Sequence, residues 1–366
     1  MASCSVTQDS EKILLADHLF HEHDSVLERA GSYSEIVEIK YAKGLKVDYH
    51  QDGIHVTISN PDPAVKNAPS ETFVITKPAS RFICTTALQL GNFETLGLEE
   101  YIVGTNSLRN VFSARIVQQM EDGQTVTIGK EGNFDVESVL AARPDYILVS
   151  ASKFGGFEAL KECNIPLIPH HGYKETHPLA QAEWIKLIGL LTGETQRANA
   201  VFADIEQKYT VLKQEVEKAY AKKTKLPTVI SGRQLRNGWY FVGGYSYMAQ
   251  LFKDAGADYV MKDNKESGGV TQDFEAVYAK GIKADFWQTD GSFNGDFTLA
   301  TLAAEDERYA AMNAYQKKNV VFCNLSKTPY RELAGVQPHF LLADFVKAFH
   351  PELLPHYEPK YYKIIK

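Results

Sequence analysis

The sequence predicts an α/β protein of two lobes with mostly parallel sheets, joined by one long rigid helix and preceded by a β-hairpin extension. Three observations predict it. Short apolar runs alternate with helical stretches from residue 79, a second such series begins after residue 225, and an unbroken helical stripe lies between them. Apolar strands separated by helices indicate a parallel sheet covered on both faces. The 366 residues are too many for one ordinary core and suit two lobes.

The first 78 residues are predicted to form a polar tether (1–40) and a β extension (41–78). Alternating runs at 46–50 and 54–58 flank Asp52-Gly53, a hairpin signal, and residues 70–76 add a third strand. Near the start, Ala2-Ser3-Cys4 resembles the end of a bacterial lipobox. We therefore expect Cys4 to carry a lipid, the alternative being a free thiol. The nearby His18, His21 and His23 are expected to be solvated rather than to bind a metal.

Two series of strands and helices define the lobes. The first lobe (79–180) has predicted strands at 81–84, 101–104, 146–149 and 165–168. The second lobe and tail (225–366) have strands at 228–230, 284–287 and 320–322, a helix near 339–350 and an aromatic tail. Helices fill the intervals, so each lobe is expected to carry its own sheet.

The inter-lobe region (181–224) is predicted to be helical. Residues 195–222 contain neither Pro nor Gly, and apolar side chains recur at steps of three and four residues from Ala198 to Ala219. A helix of that length spans about 40 Å at about 1.5 Å per residue. One rigid rod between the lobes favours a small change of lobe angle over a large hinge closure.

A near-repeat links the lobes. Residues 135–147 and 273–287 both begin with an Asp, carry a Glu two positions later, and continue as a short helix, an Asp and a strand. The Asp caps the helix and the Glu favours its positive end. Each lobe would thus present one glutamate, Glu137 or Glu275, at matching places. Helix stabilisation alone is the simpler interpretation of these two residues.

Composition excludes some functions. The net charge of −7 disfavours nucleic-acid binding, which needs a basic face. No apolar run approaches the roughly 18 residues of a membrane-spanning helix, so we expect membrane attachment only through a lipid anchor. The four cysteines form neither a CxxC pair nor a zinc spacing.

Several segments, in order, resemble one family, the class III periplasmic binding proteins of importers for iron–siderophores, haem and cobalamin. Residues 132–137 followed by 142–145 resemble its "N-x-E … K-P-D" segment, and residues 177–186 resemble the start of its inter-lobe helices. Residues 239–246 and 254–259 resemble the entry to its second lobe. Residues 349–354 resemble a segment found in a Bacteroidetes-type lipoprotein subgroup. The resemblance covers about residues 79–355; the extension at 41–78 departs from the family's minimal pattern.

The resemblance implies two Rossmann-like lobes and a substrate-binding subunit of an ABC importer. Such a subunit captures an iron complex (siderophore or haem) or cobalamin between the lobes and delivers it to the membrane permease and its ATPase. Glu137 and Glu275 match the positions that dock onto arginines of the permease, where a bidentate contact gives register as well as attraction. No resident cofactor and no metal ligand set of its own are expected. The resemblance further implies a monomeric lipoprotein of the cell envelope that faces the periplasm.

The ligand is expected beyond the carboxyl ends of the strands, where the loops of the two lobes face one another. Those loops are rich in aromatic and cationic groups, which suit a broad planar or anionic chelate. The candidate ligand-binding residues are Thr86, Lys153, Phe154, His171, Tyr173, Arg233, Trp239, Tyr245, Phe293 and Arg331. The segment 170–173 could also ligate haem iron through a histidine or tyrosine. The cargo stays undecided at this stage.

Two rival functions remain open. One is a surface protein that holds haem or a siderophore without a permease, in which Glu137 and Glu275 would be dispensable. The other is a chelatase-like enzyme that uses His170 and Glu175. Against an enzyme, the sequence shows no nucleophile elbow, Walker loop, GxGxxG after a strand or HExxH.

Overall fold

A computed structural model describes residues 19–20, 26–106, 111–130, 132–150, 157–221, 223 and 225–366. The predicted lipidation site Cys4, the histidines at 18, 21 and 23, and the ligand candidates Lys153 and Phe154 lie outside the described residues. No helix in the described part of the chain has the length and apolar character that a membrane span requires.

The extension is a three-stranded antiparallel sheet, as predicted. Strands β1 (Leu45–His50), β2 (Gly53–Ser59) and β3 (Ser70–Ile75) pair in the order β1-β2-β3. His50 pairs with Gly53, so Gln51 and Asp52 make the turn. Gly53 has φ +140°, and a Cβ there would lie 2.7 Å from the carbonyl oxygen of Ile75, so only glycine fits.

The first lobe contains a fully parallel sheet, again as predicted. Its five strands run in the order β10-β9-β4-β5-β6. Their bounds are β4 (Phe82–Cys84), β5 (Ile102–Thr105), β6 (Val126–Thr127), β9 (Tyr146–Val149) and β10 (Leu167–Pro169), with a small hairpin of β7 (Gly129–Lys130) and β8 (Asn133–Phe134). The helices of this lobe are α1 (Ala87–Leu96), α2 (Ala114–Glu121), α3 (Val136–Ala142) and α4 (Glu158–Lys161).

Three helices join the lobes. The first part consists of two short helices, α5 (Pro178–Glu183) and α6 (Ile185–Thr192), which meet at the buried Trp184. Gly193 ends α6 in the left-handed conformation, φ +79°, which glycine adopts without strain. The long helix α7 (Thr195–Tyr220) then runs unbroken for 26 residues, which confirms the predicted rod.

The second lobe has a five-stranded sheet in the order β14-β11-β16-β17-β18 and a three-stranded antiparallel sheet, β12-β13-β15. Only β18 of the larger sheet is antiparallel. The strands are β11 (Thr228–Ser231), β12 (Arg233–Leu235), β13 (Gly238–Val242), β14 (Asp258–Tyr259), β15 (Gly269–Gln272), β16 (Phe286–Gly291), β17 (Val320–Asn324) and β18 (Lys363–Ile364). The helices are α8 (Tyr247–Asp254), α9 (Phe274–Gly281), α10 (Leu299–Glu305), α11 (Asn313–Gln316), α12 (Tyr330–Leu333) and α13 (Pro338–Phe349).

The predicted near-repeat is present in the structure. Asp135 caps α3 by accepting from Ser138 N, and Asp273 caps α9 by accepting from Ala276 N. Each helix is followed by a strand of its parallel sheet, β9 or β16. The two lobes therefore share this βα building plan.

Residues 26–40, which belong to the predicted tether and its short helix, pack against α7. A 3-10 helix, Val26–Ser32, lies beside it. Gln196 donates to the carbonyl of Tyr33, and Asn199 donates to those of Ser34 and Ile36. Buried Ala30 and Val37 add apolar contacts to these carbonyl hydrogen bonds.

Candidate functional site

Two contacts bring the carboxyl edges of the two sheets face to face. Helix α12, which follows β17, packs on α1, which follows β4; a Cβ on Gly91 would lie 1.9 Å from the carbonyl oxygen of Glu332. Farther along the edge, Asp62 of the extension accepts from Lys174 of the first lobe and from Ser267 of the second. The loops between these contacts form the candidate site, as the strand ends of α/β sheets do in general.

Unpartnered polar groups line the edge of the first lobe. Thr86 begins α1, and its Oγ1 is buried without a hydrogen-bond partner among the described residues. Asn106 donates Nδ2 to the carbonyl of Thr85 at 2.7 Å, while its Oδ1 is equally unpartnered. Buried polar atoms are nearly always satisfied in folded proteins. Water or polar atoms of a ligand would satisfy these two.

The histidine pair next to this edge is uncharged at neutral pH. His170 is 1% exposed and its ring lies 5.0 Å from that of Trp184. Burial, reinforced by His171, lowers the pKa of His170 to about 3, and burial also lowers the pKa of His171. Both ring nitrogens of His170 and Nδ1 of His171 lack partners within the described chain. Neutral imidazole is the form that ligates metals.

Tyr173 stands at the rim of the site. It is 37% exposed, and the Lys174 ammonium lies 5.4 Å from its ring centroid. On the opposite lobe Tyr245 is 47% exposed, and its hydroxyl accepts from Lys265 Nζ at 3.0 Å. Tyr173 and Tyr245 thus each present an exposed aromatic ring beside a lysine, one on each lobe, a combination that suits an aromatic or anionic ligand.

A half-buried carboxyl between two arginines forms the edge of the second lobe. Asp290, near the end of β16, has its pKa raised by burial, although Arg233 and Arg331 act to lower it. Arg233 lies against Gly291, where a Cβ would be 2.9 Å from Nη1, and it also pairs with Glu305 at 3.5 Å. Counting Glu305, the two guanidinium groups face two carboxylates, and Arg331, which forms no ion pair among the described residues, is the cation left for an anionic ligand.

The candidate residues chosen from the sequence did not include Asp290, Tyr247 and Tyr330, although Asp290 and Tyr330 lie in loops expected at the cleft. The hydroxyls of the two tyrosines lie 3.0 Å apart, and burial, first among the causes, raises the pKa of both. Asp290 directly follows Thr289 at a strand end, a position that could have singled it out. The predicted Phe293 follows it, half-buried, with its ring against Phe297 and its N–H donated to Asn324.

Trp239 requires a correction. It was predicted to contact ligand, but it is 0% exposed and packs against Phe274, Trp287 and Tyr309. Its indole N–H donates to the carbonyl of Ser231 at 2.9 Å. The side chain is therefore part of the core of the second lobe and offers no surface to a ligand.

The two predicted docking glutamates are exposed, each in the first turn of its helix. Their surroundings differ. Arg308 donates to Glu275 Oε1 at 3.1 Å, and its guanidinium is held by Asp306 and lies 3.4 Å from the ring centroid of Phe274. Glu137 forms no ion pair within the described residues. The lobe-two carboxylate is thus partly neutralised and the lobe-one carboxylate is not.

One carboxyl group has a pKa near neutrality. Glu332 is 1% exposed; its Oε1 accepts from Phe112 N at 2.9 Å, and its Oε2 lacks a partner among the described residues. Burial, together with the charge of Glu94, raises its pKa to about 7. Phe112 belongs to the first lobe and Glu332 to the second, so this titratable carboxyl group lies where the lobes meet. No cluster of three or more His, Cys, Asp or Glu suited to a metal ion occurs in the described parts of the chain.

Comparisons with known proteins agree with this architecture. An uncharacterised lipoprotein of Methanocaldococcus jannaschii is 22% identical over 292 residues, 76% of this chain and 67% of the relative. A periplasmic binding protein from Veillonella parvula aligns with a TM-score of 0.62 at 14% identity, covering 82% of this chain and 99% of that one.

Two further solved structures have named ligands. A periplasmic haem-binding protein from Pseudomonas aeruginosa gives a TM-score of 0.58 at 20% identity, covering 75% of this chain and 93% of that one. An Fe³⁺-hydroxamate transport protein from Saccharomonospora viridis gives a TM-score of 0.60 at 16% identity, covering 76% of this chain and 96% of that one. These likenesses concern the fold.

The family profile described as periplasmic binding protein matches residues 83–325, more than half of the chain. The match spans both lobes and the helices between them. The chain therefore belongs to the periplasmic binding protein family, a family of substrate-binding transport proteins rather than enzymes.

Proposed function

We propose that the cleft between the lobes captures an iron complex, a siderophore or haem, or cobalamin, and delivers it to an ABC permease. The observation that carries this proposal is the pair of arginines, Arg233 and Arg331, whose charges both act on the half-buried Asp290 at the strand ends of the second lobe. Guanidinium groups bind carboxylate and catecholate oxygens in a planar, bidentate manner.

The opposite wall supports the same ligand class. Thr86 and Asn106 offer buried oxygens that have no partner among the described residues, and Tyr173 and Tyr245 offer aromatic faces at the rim. A ligand of mixed polar and aromatic character satisfies both sets of groups at once. Solved structures of this fold that are named for haem binding and for Fe³⁺-hydroxamate transport support the same ligand class.

Delivery would use Glu137 and Glu275. Two carboxylates on separate lobes, held by one rigid helix, suit paired basic pockets on a permease. A lipid on Cys4 would keep the protein at the membrane surface, in the manner of its lipoprotein relative.

Native mass spectrometry combined with a visible absorption spectrum, on protein purified from its own organism, tests the cargo. A bound mass with a Soret band, a corrin spectrum or an iron–catecholate band would support the proposal and name the cargo. A protein that arrives without ligand, and that also ignores added haem, cobalamin and ferric siderophores, would refute it.

A further inference from the structure

The extension is fixed firmly to the first lobe and the inter-lobe helices by two buried carboxylates. Glu183, 0% exposed, accepts from the backbone N–H groups of Lys40, Tyr41 and Ala42 at 2.6–2.9 Å. Glu175 accepts from Gly44 N at 2.9 Å and from the indole N–H of Trp184 at 3.1 Å. Charge-assisted hydrogen bonds of this kind are about twice as strong as neutral ones.

From these anchors the chain reaches the second lobe through Asp62, in the loop between β2 and β3. Ser267 Oγ donates to Asp62 Oδ1 at 2.8 Å, and Lys174 Nζ donates to Oδ2 at 3.0 Å. Two local bonds fix the loop: Asp62 N to Asn60 Oδ1 and Ala64 N to Asp62 Oδ1, both at 3.0 Å. One carboxylate thus joins the extension, the first lobe and the second lobe.

Ser267 is itself held by the backbone of the second lobe. Gly243 N donates to the carbonyl of Gly268, and Tyr245 N donates to that of Glu266. A Cβ on Gly243 would lie 2.1 Å from the Glu266 oxygen, so the loop sits directly on Gly243. A displacement of Ser267 would therefore also move the N-terminus of α8 and Tyr245 at the rim of the cleft.

A groove of about 830 Å³ lies beside this connection. The extension contributes Lys43 and Pro63, the first lobe Thr176, and the second lobe residues that include Tyr245 and Lys253. All three parts of the chain enclose the same space. Any change in the lobe angle changes the shape of this groove and strains the bond between Asp62 and Ser267.

We propose that the extension is a strap joining the two lobes and that Asp62 is its positioning residue, which sets the inter-lobe angle at which cargo is held. The rod α7 permits a small change in the angle between the lobes. The α12–α1 contact limits this change at one end of the cleft, and the strap limits it at the other. The proposal rests on the two-lobe substrate-binding role and does not depend on which cargo is bound.

Distances between spin labels in the ligand-free full chain test the strap. The labels are attached through keto amino acids at Glu121 on α2 and Lys280 on α9, both exposed, so the native cysteines stay unlabelled. Ser267→Ala removes only the lobe-two bond. We expect the population at longer inter-lobe distances to rise about tenfold, the usual effect of losing one charge-assisted hydrogen bond.

Two matched variants separate the strap from a general loss of stability. Ser267→Thr keeps the hydroxyl and is expected to restore the wild-type distances, and Ser80→Ala removes an exposed serine of the first lobe without effect. A distance distribution for Ser267→Ala that equals that of wild type, or a broadening shared with Ser80→Ala, overturns the proposal. Because no ligand is present, failure to find a cargo and failure of the strap give separate results.

Discussion

Glu332 makes the contact between the lobes sensitive to pH, and the variant Glu332→Gln isolates this effect. Burial raises the pKa of Glu332 from an ordinary 4.5 to about 7, because its charge is poorly solvated where α12 meets α1 and lies near Glu94. The neutral glutamine keeps an oxygen that can accept from Phe112 N. Wild type should therefore lose stability as pH rises, and the variant should not.

The sign and the size follow from proton linkage. A carboxyl with a raised pKa binds more protons in the folded protein, so it carries no penalty below about pH 4.5 and the full penalty above about pH 7. The interval between 4.5 and about 7, at about 1.4 kcal/mol per pH unit, gives an upper bound of about 3 kcal/mol. Solvent near the half-buried Glu94 screens part of the repulsion between the two carboxylates. The expected loss of stability at high pH is therefore about 1–2 kcal/mol.

Thermal unfolding at pH 5 and pH 8 measures the difference. Glu332→Gln should match wild type at pH 5 and exceed its Tm at pH 8 by roughly 1–3 °C, since the unfolding entropy of a chain this long is large. Glu71→Gln, an exposed position on β3, serves as the control. If the difference in Tm between Glu332→Gln and wild type is the same at pH 5 and at pH 8, the reasoning is wrong.

Three other predictions concern the tail, the cleft and docking. Asp344→Asn should lower stability by about 3 kcal/mol in denaturant unfolding, because Asp344 accepts from the backbone N–H groups of Lys360, Tyr361 and Tyr362 and an amide cannot accept them all. Arg331→Gln should weaken binding of the cargo found by mass spectrometry about tenfold in a fluorescence titration, whereas Lys280→Gln should not. In transport assays with the cognate permease, Glu137→Lys should impair uptake more than Glu275→Lys, since Arg308 already neutralises part of the Glu275 charge; equal losses would contradict this.

Periodicity predicted the elements that bury an apolar face. The stripe of α7 is buried at Ala198, Phe202, Ile205, Tyr209, Leu212 and Val216, and the alternation around Asp52-Gly53 became the β1-β2 hairpin. In both cases the signal was local, because one element's own side chains define its buried face.

Trp239 was wrongly chosen as a ligand contact because the direction of a strand side chain depends on register. On β13 the side chains alternate: Trp239 and Phe241 are 0% exposed, whereas Tyr240 between them is 42% exposed. A large aromatic on a strand faces the core or the solvent according to register, which composition alone does not reveal. Period two places Tyr240, not Trp239, on the outer face of this sheet.

The contacts that fix the extension and the tail could not be read from the sequence, because each joins a buried carboxylate to backbone amides. Glu183 captures residues 40–42, from 141 to 143 positions away, and Asp344 captures residues 360–362. Neither carboxylate has a distinctive sequence neighbourhood, since each lies within an apolar helix where an acidic residue would otherwise be unfavourable. Burial makes each bond directional and costly to break, so the segments before β1 and after α13 become fixed parts of the body around the inter-lobe helices. The proposed strap follows from this difference: its attachment around the inter-lobe helices is buried and multiple, whereas one side-chain hydrogen bond, from Ser267 to Asp62, links it to the second lobe among the described residues. We expect that single bond to break first.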